Sequence, residues 1–253
     1  MIGVLITARL GSTRLSNKHL IKVEGRTFME WLIERFYFEF VEEISKEEIK
    51  LFIATSDDSR NLEFNRFCKD EKISVFFGSD ENIPLRHLQC ATKNNLTHII
   101  SIDGDDILCS TYAARLVFEQ LVGGKQMVAT NGLPLGMNVT GYSTSFLKES
   151  IQKTNTDNEK LETGWGRIFD QSKIQHQSIQ GFDKYRSIRM TLDYPDDGNY
   201  FKAVIEFFGE KIIETEDQEL LKTIFEDKLY EINAHLNEEY WNNFNEQKNS
   251  EEE

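Results

Sequence analysis

Short apolar, β-branched runs alternate through the first half of the chain with longer stretches whose apolar residues recur at helical spacing. This is the pattern of strands crossed by helices in a mostly parallel sheet. It predicts strands over 2–7, 49–55, 73–77, 98–102 and 126–130, with helices near 27–43, 58–71, 83–95 and 110–122. Phe28, Trp31, Leu32, Arg35 and Phe36 share one helical face, the spacing of a core stripe rather than a ligand shelf. Gly123-Gly124 ends the fourth helix, and Gly132, Pro134, Gly136 and Gly141 then break the alternation. Residues 131–182 are therefore expected to leave the sheet as an inserted arm, serving dimerisation or acting as a lid. Alternation returns at 187–193, read as a strand, and Pro195 suits a first helical turn. Helices near 196–209, 215–227 and 236–245 would complete a single domain over 1–245, with 246–253 a disordered acidic tail.

Composition narrows the partners. With 253 residues, 39% of them hydrophobic, the chain can bury a full core. Against 29 Lys and Arg stand 43 Asp and Glu, a net charge of −14, which repels nucleic acid and anionic membrane surfaces. No nucleic-acid or membrane partner is expected. Cys68, Cys90 and Cys109 are odd in number and widely spaced, which suits a reducing, cytoplasmic setting.

The first 23 residues run against the overall charge, with four basic side chains and no acidic one. The segment Ala8-Arg9-Leu10-Gly11-Ser12-Thr13-Arg14-Leu15-Ser16-Asn17-Lys18 follows a predicted buried strand. Its glycine admits close backbone approach, its hydroxyls donate hydrogen bonds, and three cations can neutralise a triphosphate. A second candidate feature is Asp103-Gly104-Asp105-Asp106 at the end of the predicted strand 98–102. Ligands bind beyond the carboxyl ends of strands in open α/β sheets, and Asp193 follows the predicted strand 187–192 in the same way. Two carboxylates plus substrate phosphates make a magnesium shell. Without ligands, the same aspartates would serve as helix caps and acidic turns.

With these residues in view, the chain resembles the cytidylyltransferases of acidic-sugar and surface-polysaccharide pathways, especially the spore-coat-polysaccharide type, with the octulosonate and sialic-acid enzymes as relatives. The family opening Ala-Arg-x-Gly-Ser-x-Arg-Leu-Pro-x-Lys is matched over residues 8–18, with Ser16 where the pattern has proline. Gly78-Ser79-Asp80-Glu81-Asn82 with Arg86, then Gly104-Asp105, then Thr191-Leu192-Asp193-Tyr194-Pro195-Asp196-Asp197 follow in order. The resemblance implies a Rossmann-like nucleotide-diphospho-sugar transferase fold with an inserted arm. It also implies transfer of CMP from CTP to an anionic sugar with release of pyrophosphate, by a homodimer. By that pattern Ala8, Arg9, Gly11, Ser12, Thr13, Arg14, Lys18, Ser79, Arg86 and Asp103 contact the nucleotide, Asp105 and Asp193 hold Mg2+, and Lys18, Arg9 and Asp105 carry catalysis. His19 adjoins the loop as a surface or supporting residue, and Arg167, Lys184, Arg186 and Arg189 are candidates for the acceptor carboxylate. Two rivals stay open: a metal-dependent glycosyltransferase using Asp103-Gly104-Asp105, and a nucleotide-binding subunit without turnover.

Overall fold

A computed structural model describes residues 1–156 and 159–252. Its centre is a strand that the sequence makes apolar on both faces. In β1 (Ile2–Thr7), Val4 and Ile6 enter one core and Leu5 the other, as expected of a strand covered on each side. Around it lie β4 (Ile49–Ser56), β5 (Ile73–Gly78), β6 (His98–Asp103), β7 (Met127–Asn131), β8 (Thr140–Ser143) and β9 (Ile174–Ser178), in the order β5-β4-β1-β6-β8-β7-β9. A small hairpin, β2 (Lys22–Val23) with β3 (Arg26–Thr27), precedes the first helix. In the seven-stranded sheet of the described residues only β8 opposes its neighbours; the pairs β1/β4, β4/β5, β1/β6 and β7/β9 are parallel.

Four of the helices begin where a capping side chain accepts from a free N–H group of the first turn. In α1 (Phe28–Glu39), Thr27 Oγ1 accepts from Glu30 N at 3.2 Å, and Glu30 Oε2 accepts from Thr27 N at 2.6 Å. It is continued by a short α2 (Val41–Ser45). Asn82 caps α3 (Ile83–Lys93), Ser110 caps α4 (Thr111–Val122) and Ser143 caps α5 (Thr144–Thr154). Then come α6 (Pro195–Phe208), α7 (Asp217–Glu226) and α8 (Asn237–Glu252). No helix among the described residues is long and apolar enough to cross a membrane.

The mostly parallel α/β sheet matches the sequence reading, but four segments differ from it. Residues 59–70 wind as 3-10 turns rather than an α-helix. Residues 131–182 are not wholly an arm, because they supply β8, α5 and β9 to the main sheet and its cover. β8 escaped notice because it has four residues and a glycine at its centre. A Cβ on Gly141 would lie 2.4 Å from Val117 Cγ1, so glycine lets α4 press on the sheet. The alternating run 187–193 is no strand of the sheet: among the described residues its one bridge pairs Arg189 with Leu135, and both lie outside the named strands. The expected tail, 246–253, is helical through Glu252, while residue 253 lies outside the described residues.

From β1 the chain steps outward to β4 and β5, then returns to the other side of β1 as β6. The direction of winding reverses there, and Thr7 faces Asp103 in register at the carboxyl ends. His87 of α3 ties this seam together: Nε2 is 2.7 Å from Thr7 Oγ1 and Nδ1 is 2.6 Å from Tyr142 Oη. The ring is completely buried, and burial, helped by Arg86, pushes its pKa from 6.5 down to about 3. The unfolded chain therefore binds the proton that the folded chain refuses. Stability should fall as pH drops from 6.5 toward 3, by at most about 1.4 kcal/mol per pH unit from this group. Urea midpoints measured across that range should show the slope, and His87→Gln should flatten it.

Candidate active site

The loop after β1 is pinned at its base and free at its tip. Leu10 is buried, and its N–H donates to Asn61 Oδ1 at 2.9 Å, while Asn61 Nδ2 reaches back to Ser56 O and Oγ at 3.1 and 2.8 Å. Asn17 takes a left-handed conformation (φ 54°) and turns the chain into the short 3-10 segment Lys18–Leu20. That turn carries Lys18 inward, leaving it 5% exposed.

Lys18 meets two aspartates from distant segments. Its Nζ lies 2.6 Å from Asp105 Oδ2 and 3.5 Å from Asp193 Oδ1. Burial alone would lower the lysine pKa, but Asp105 and Asp193 outweigh it and hold the ammonium charged. Arg14 Nη2 is 2.9 Å from the same Asp193 Oδ1, and its guanidinium lies 5.4 Å from the Tyr194 ring centre. The adjacent His19, almost fully buried, places Nε2 3.0 Å from Asp105 Oδ1.

Glycine lets the two strand-end loops touch. Gly104 N donates to Thr7 O at 2.8 Å, and a Cβ at this position would sit 2.8 Å from both that oxygen and Ala8 Cβ. Asp103 and Asp105 are thereby held against the loop after β1. Asp103 opens onto the cleft, yet desolvation by the walls and the charge of Asp105 push its carboxyl up to about 7. Asp106 is likewise raised, by desolvation and by Asp103. Asp105 moves the other way despite burial, because Lys18 and His19 hold it well below the usual carboxylate range.

Asp193 is fixed from behind by a buried ionic cluster. Arg189 Nη2 reaches Asp193 Oδ2 at 3.0 Å, and its Nε and Nη2 grip Asp197 at 2.9 and 3.1 Å. Asn233 Nδ2 donates to Asp197 Oδ1 at 2.9 Å, and Asp197 Oδ2 accepts from the backbone of Asp193 and Tyr194 at 2.9 and 3.0 Å. Arg189 and Asp197 are fully buried. Simple alternation would have allowed Arg189 to face solvent; instead it serves this cluster and is closed to an acceptor.

One cavity of about 270 Å3 gathers Ala8, Arg9, Gly11, Ser12, Thr13, Arg14, Lys18, Arg86, Asp103, Asp105 and Asp193. Arg9 pairs with Glu162 at its mouth. Ser79 is not among its lining residues; it borders a separate depression with Phe77, Leu85 and Gln89, and its carbonyl accepts from Arg86 Nε at 2.7 Å. Residues that the sequence did not mark are Glu162, Thr163, Gln247, Ser250 and Glu251, all lining the same cavity, and Asn233 behind it. Isolated carboxylates and amides carry no motif. Asp197, which closes the Thr191–Asp197 run, was in view but without a role.

No group of three or more His, Cys, Asp or Glu side chains suited to a metal exists among the described residues. Asp105 and Asp193 converge as a pair on one ammonium, so an ion held there would need oxygen donors from a bound ligand, as Mg2+ commonly does. The donor chemistry fits Mg2+ rather than a soft metal.

Comparison with known proteins bears on the family and the fold. A family model described as Cytidylyltransferase matches residues 3–223. An uncharacterized protein of Methanocaldococcus jannaschii is 26% identical over 210 residues, spanning 81% of this chain and 82% of its own. Among solved structures, a cytidylyltransferase from Leptospira borgpetersenii superposes with a TM-score of 0.72 at 20% identity, covering 90% of this chain and 95% of that one. A CMP:2-keto-3-deoxy-manno-octonic acid synthetase complexed with CTP gives 0.57 at 12% identity, over 81% and 98% of the two chains. A 4-diphosphocytidyl-2C-methyl-D-erythritol synthase from Anaerococcus prevotii gives 0.54 at 13%, over 81% and 96%.

The ionic cluster makes a direct prediction about stability. Arg189→Met keeps bulk but leaves the fully buried Asp197 without its cation, while Asp193 keeps Arg14 and Lys18, and it should cost about 3–5 kcal/mol. Urea unfolding of the two proteins at neutral pH measures this, and a loss below about 1 kcal/mol would show that the cluster is not held by Arg189.

Proposed function

The chain belongs to the cytidylyltransferase family, and from that premise we propose that it transfers CMP from CTP to a hydroxyl of an acidic sugar, of the 3-deoxy-ulosonic or nonulosonic type, with release of pyrophosphate. The observation that carries the reading is the meeting of Lys18, Asp105 and Asp193 beside the Gly11–Arg14 loop at the reversal point of the sheet. The setting proposed is surface-polysaccharide biosynthesis in the cytoplasm, with the enzyme acting as a homodimer.

In this reading Lys18, Arg14 and Arg9 bind the triphosphate. Lys18 stays charged in the field of its aspartates, so it meets the phosphates as a cation. The hydroxyls of Ser12 and Thr13 and the backbone around Gly11 supply hydrogen-bond donors. Asp105 and Asp193 would hold Mg2+. When bound, that ion neutralises phosphate charge and lowers the barrier to displacement at the α-phosphorus. The acceptor oxygen forms a bond to the α-phosphorus and gives up its hydroxyl proton to solvent, while the bond to the bridging oxygen of the β-phosphate breaks and pyrophosphate leaves. The cations of the loop stabilise charge gathering on the departing pyrophosphate.

A diphosphate-sugar donor has no need of three cations after β1, and the loop therefore favours a triphosphate over the glycosyltransferase alternative. The assay is pyrophosphate release from CTP and Mg2+ with a panel of acid sugars. Release that depends on one of them supports the proposal; CTP binding without release under any acceptor overturns it. Lys18→Ala should lower kcat/KM by about 10²–10³-fold, by analogy with the removal of an oxyanion donor. Asp105→Asn should abolish Mg2+-dependent release while circular dichroism stays unchanged, and near-normal turnover would remove Asp105 from the site.

A further inference from the structure

The chain binds one of its own carboxylates at the edge of the proposed phosphate cleft. Glu251, in the last turn of α8, has a side chain only 5% exposed. Its oxygens accept from Glu162 N at 3.3 Å and from Thr163 N at 3.1 and 3.0 Å, and Arg167 Nη2 stands 3.8 Å away. The nest is built locally. Gly164 takes a left-handed turn (φ 60°), and Arg167 Nη1 donates to Thr163 O at 2.7 Å, which fixes the guanidinium beside the two amides.

Helix stability does not explain this contact. A helix ends in a partial negative charge, so a carboxylate in the last turn of α8 is repelled by its own helix. It is held by the amides and the guanidinium across the gap. The position also matters. Thr163 and Glu162 line the phosphate cavity and an adjoining compartment of about 220 Å3, which shares Asp105 and Asp193 and is walled by Trp165, Tyr240 and Phe244. Aromatic walls with a few placed polar groups suit a sugar ring.

We propose that the amides of Glu162 and Thr163, with Arg167, form the subsite for the acceptor's carboxylate, and that Glu251 fills it as an internal stand-in that the acceptor displaces. This deepens the reading of the site and rests on the acceptor being anionic. Of the four cations that the sequence offered for this role, Arg167 already holds a carboxylate here, Arg189 is consumed by Asp193 and Asp197, Arg186 pairs with Asp183, and Lys184 lies over the Tyr185 ring.

The test reads binding rather than turnover, so it is separable from the transfer reaction. Backbone 15N resonances of Glu162 and Thr163 in the full chain are followed during titration with 2-keto-3-deoxy-manno-octonate and with pyruvate, each beside its methyl ester. The acids should shift both amides and the esters should not. Glu251→Ala should tighten the acids by about tenfold, the factor that a latch closed nine times in ten imposes. Arg167→Met should weaken them without changing the response to the esters. Acids and esters behaving alike, neither acid shifting the amides, or acid affinity unmoved by Glu251→Ala would overturn the subsite. Pyrophosphate release with an uncharged acceptor would likewise overturn it while leaving cytidylyl transfer standing.

Discussion

A single buried ammonium organises the cleft. Placing Lys18 at 5% exposure is unfavourable unless opposite charge comes with it, because an unpaired ion loses far more hydration than packing returns. Asp105 and Asp193 meet that requirement, and each arrives from a different part of the chain. The loop after β1 must turn back at Asn17 to bring Lys18 inside, and Gly104 must lack a side chain for the aspartate loop to approach Thr7. The reversal of the sheet between β1 and β6 opens the space where these segments meet.

Charge is distributed unevenly around that ammonium. Asp193 receives Arg14, Lys18 and Arg189, whereas Asp105 has Lys18 and His19. Asp103 has no ion pair among the described residues, and its carboxyl is pushed up to about 7 by desolvation and by Asp105. The cleft therefore sets carboxyls that resist ionisation, Asp103 and Asp106, opposite the cations Arg9 and Arg14. In the proposed reading a nucleotide with a divalent cation would answer both, the ion meeting the carboxylates and the phosphates meeting the arginines.

How legible this was in the sequence varied with the physical origin of each part. Buried parallel strands are continuous apolar runs, so β1, β4, β5, β6 and β7 were found to within a residue or so at their ends. β9, Ile174-Gln175-His176-Gln177-Ser178, is a polar edge strand, and β8 is broken by Gly141, so neither carries a buried-strand signal. The alternation at 187–193 was real but had another cause: Ile188, Met190 and Leu192 enter the core while Arg189, Thr191 and Asp193 face the ionic cluster and the cleft. The Gly11–Lys18 loop, Asp105 and Asp193 were legible because motif and charge coincide. Glu162, Glu251 and Asn233 were not, because nothing local marks a residue whose partner lies far along the chain.

A chain of net charge −14 that takes a triphosphate must overcome its own field, and distance resolves the difficulty. At physiological ionic strength, exposed charges beyond about 8 Å are largely screened, while those inside a walled cleft are not. In the proposed reading the nucleotide would therefore meet the local set of Arg9, Arg14 and Lys18. In the free chain each already holds an internal carboxylate: Glu162 on Arg9, and Asp193 on both Arg14 and Lys18. The amides of Glu162 and Thr163 hold Glu251 in the same manner. In the proposed reading, binding would be an exchange of anions at donors that are already desolvated and oriented, which avoids most of the ordering cost that flexible lysines and arginines would otherwise impose. Such a site gains selectivity at the expense of raw affinity, because an incoming anion must outcompete a tethered carboxylate at several points together, and an anion that engages only one of them cannot do so.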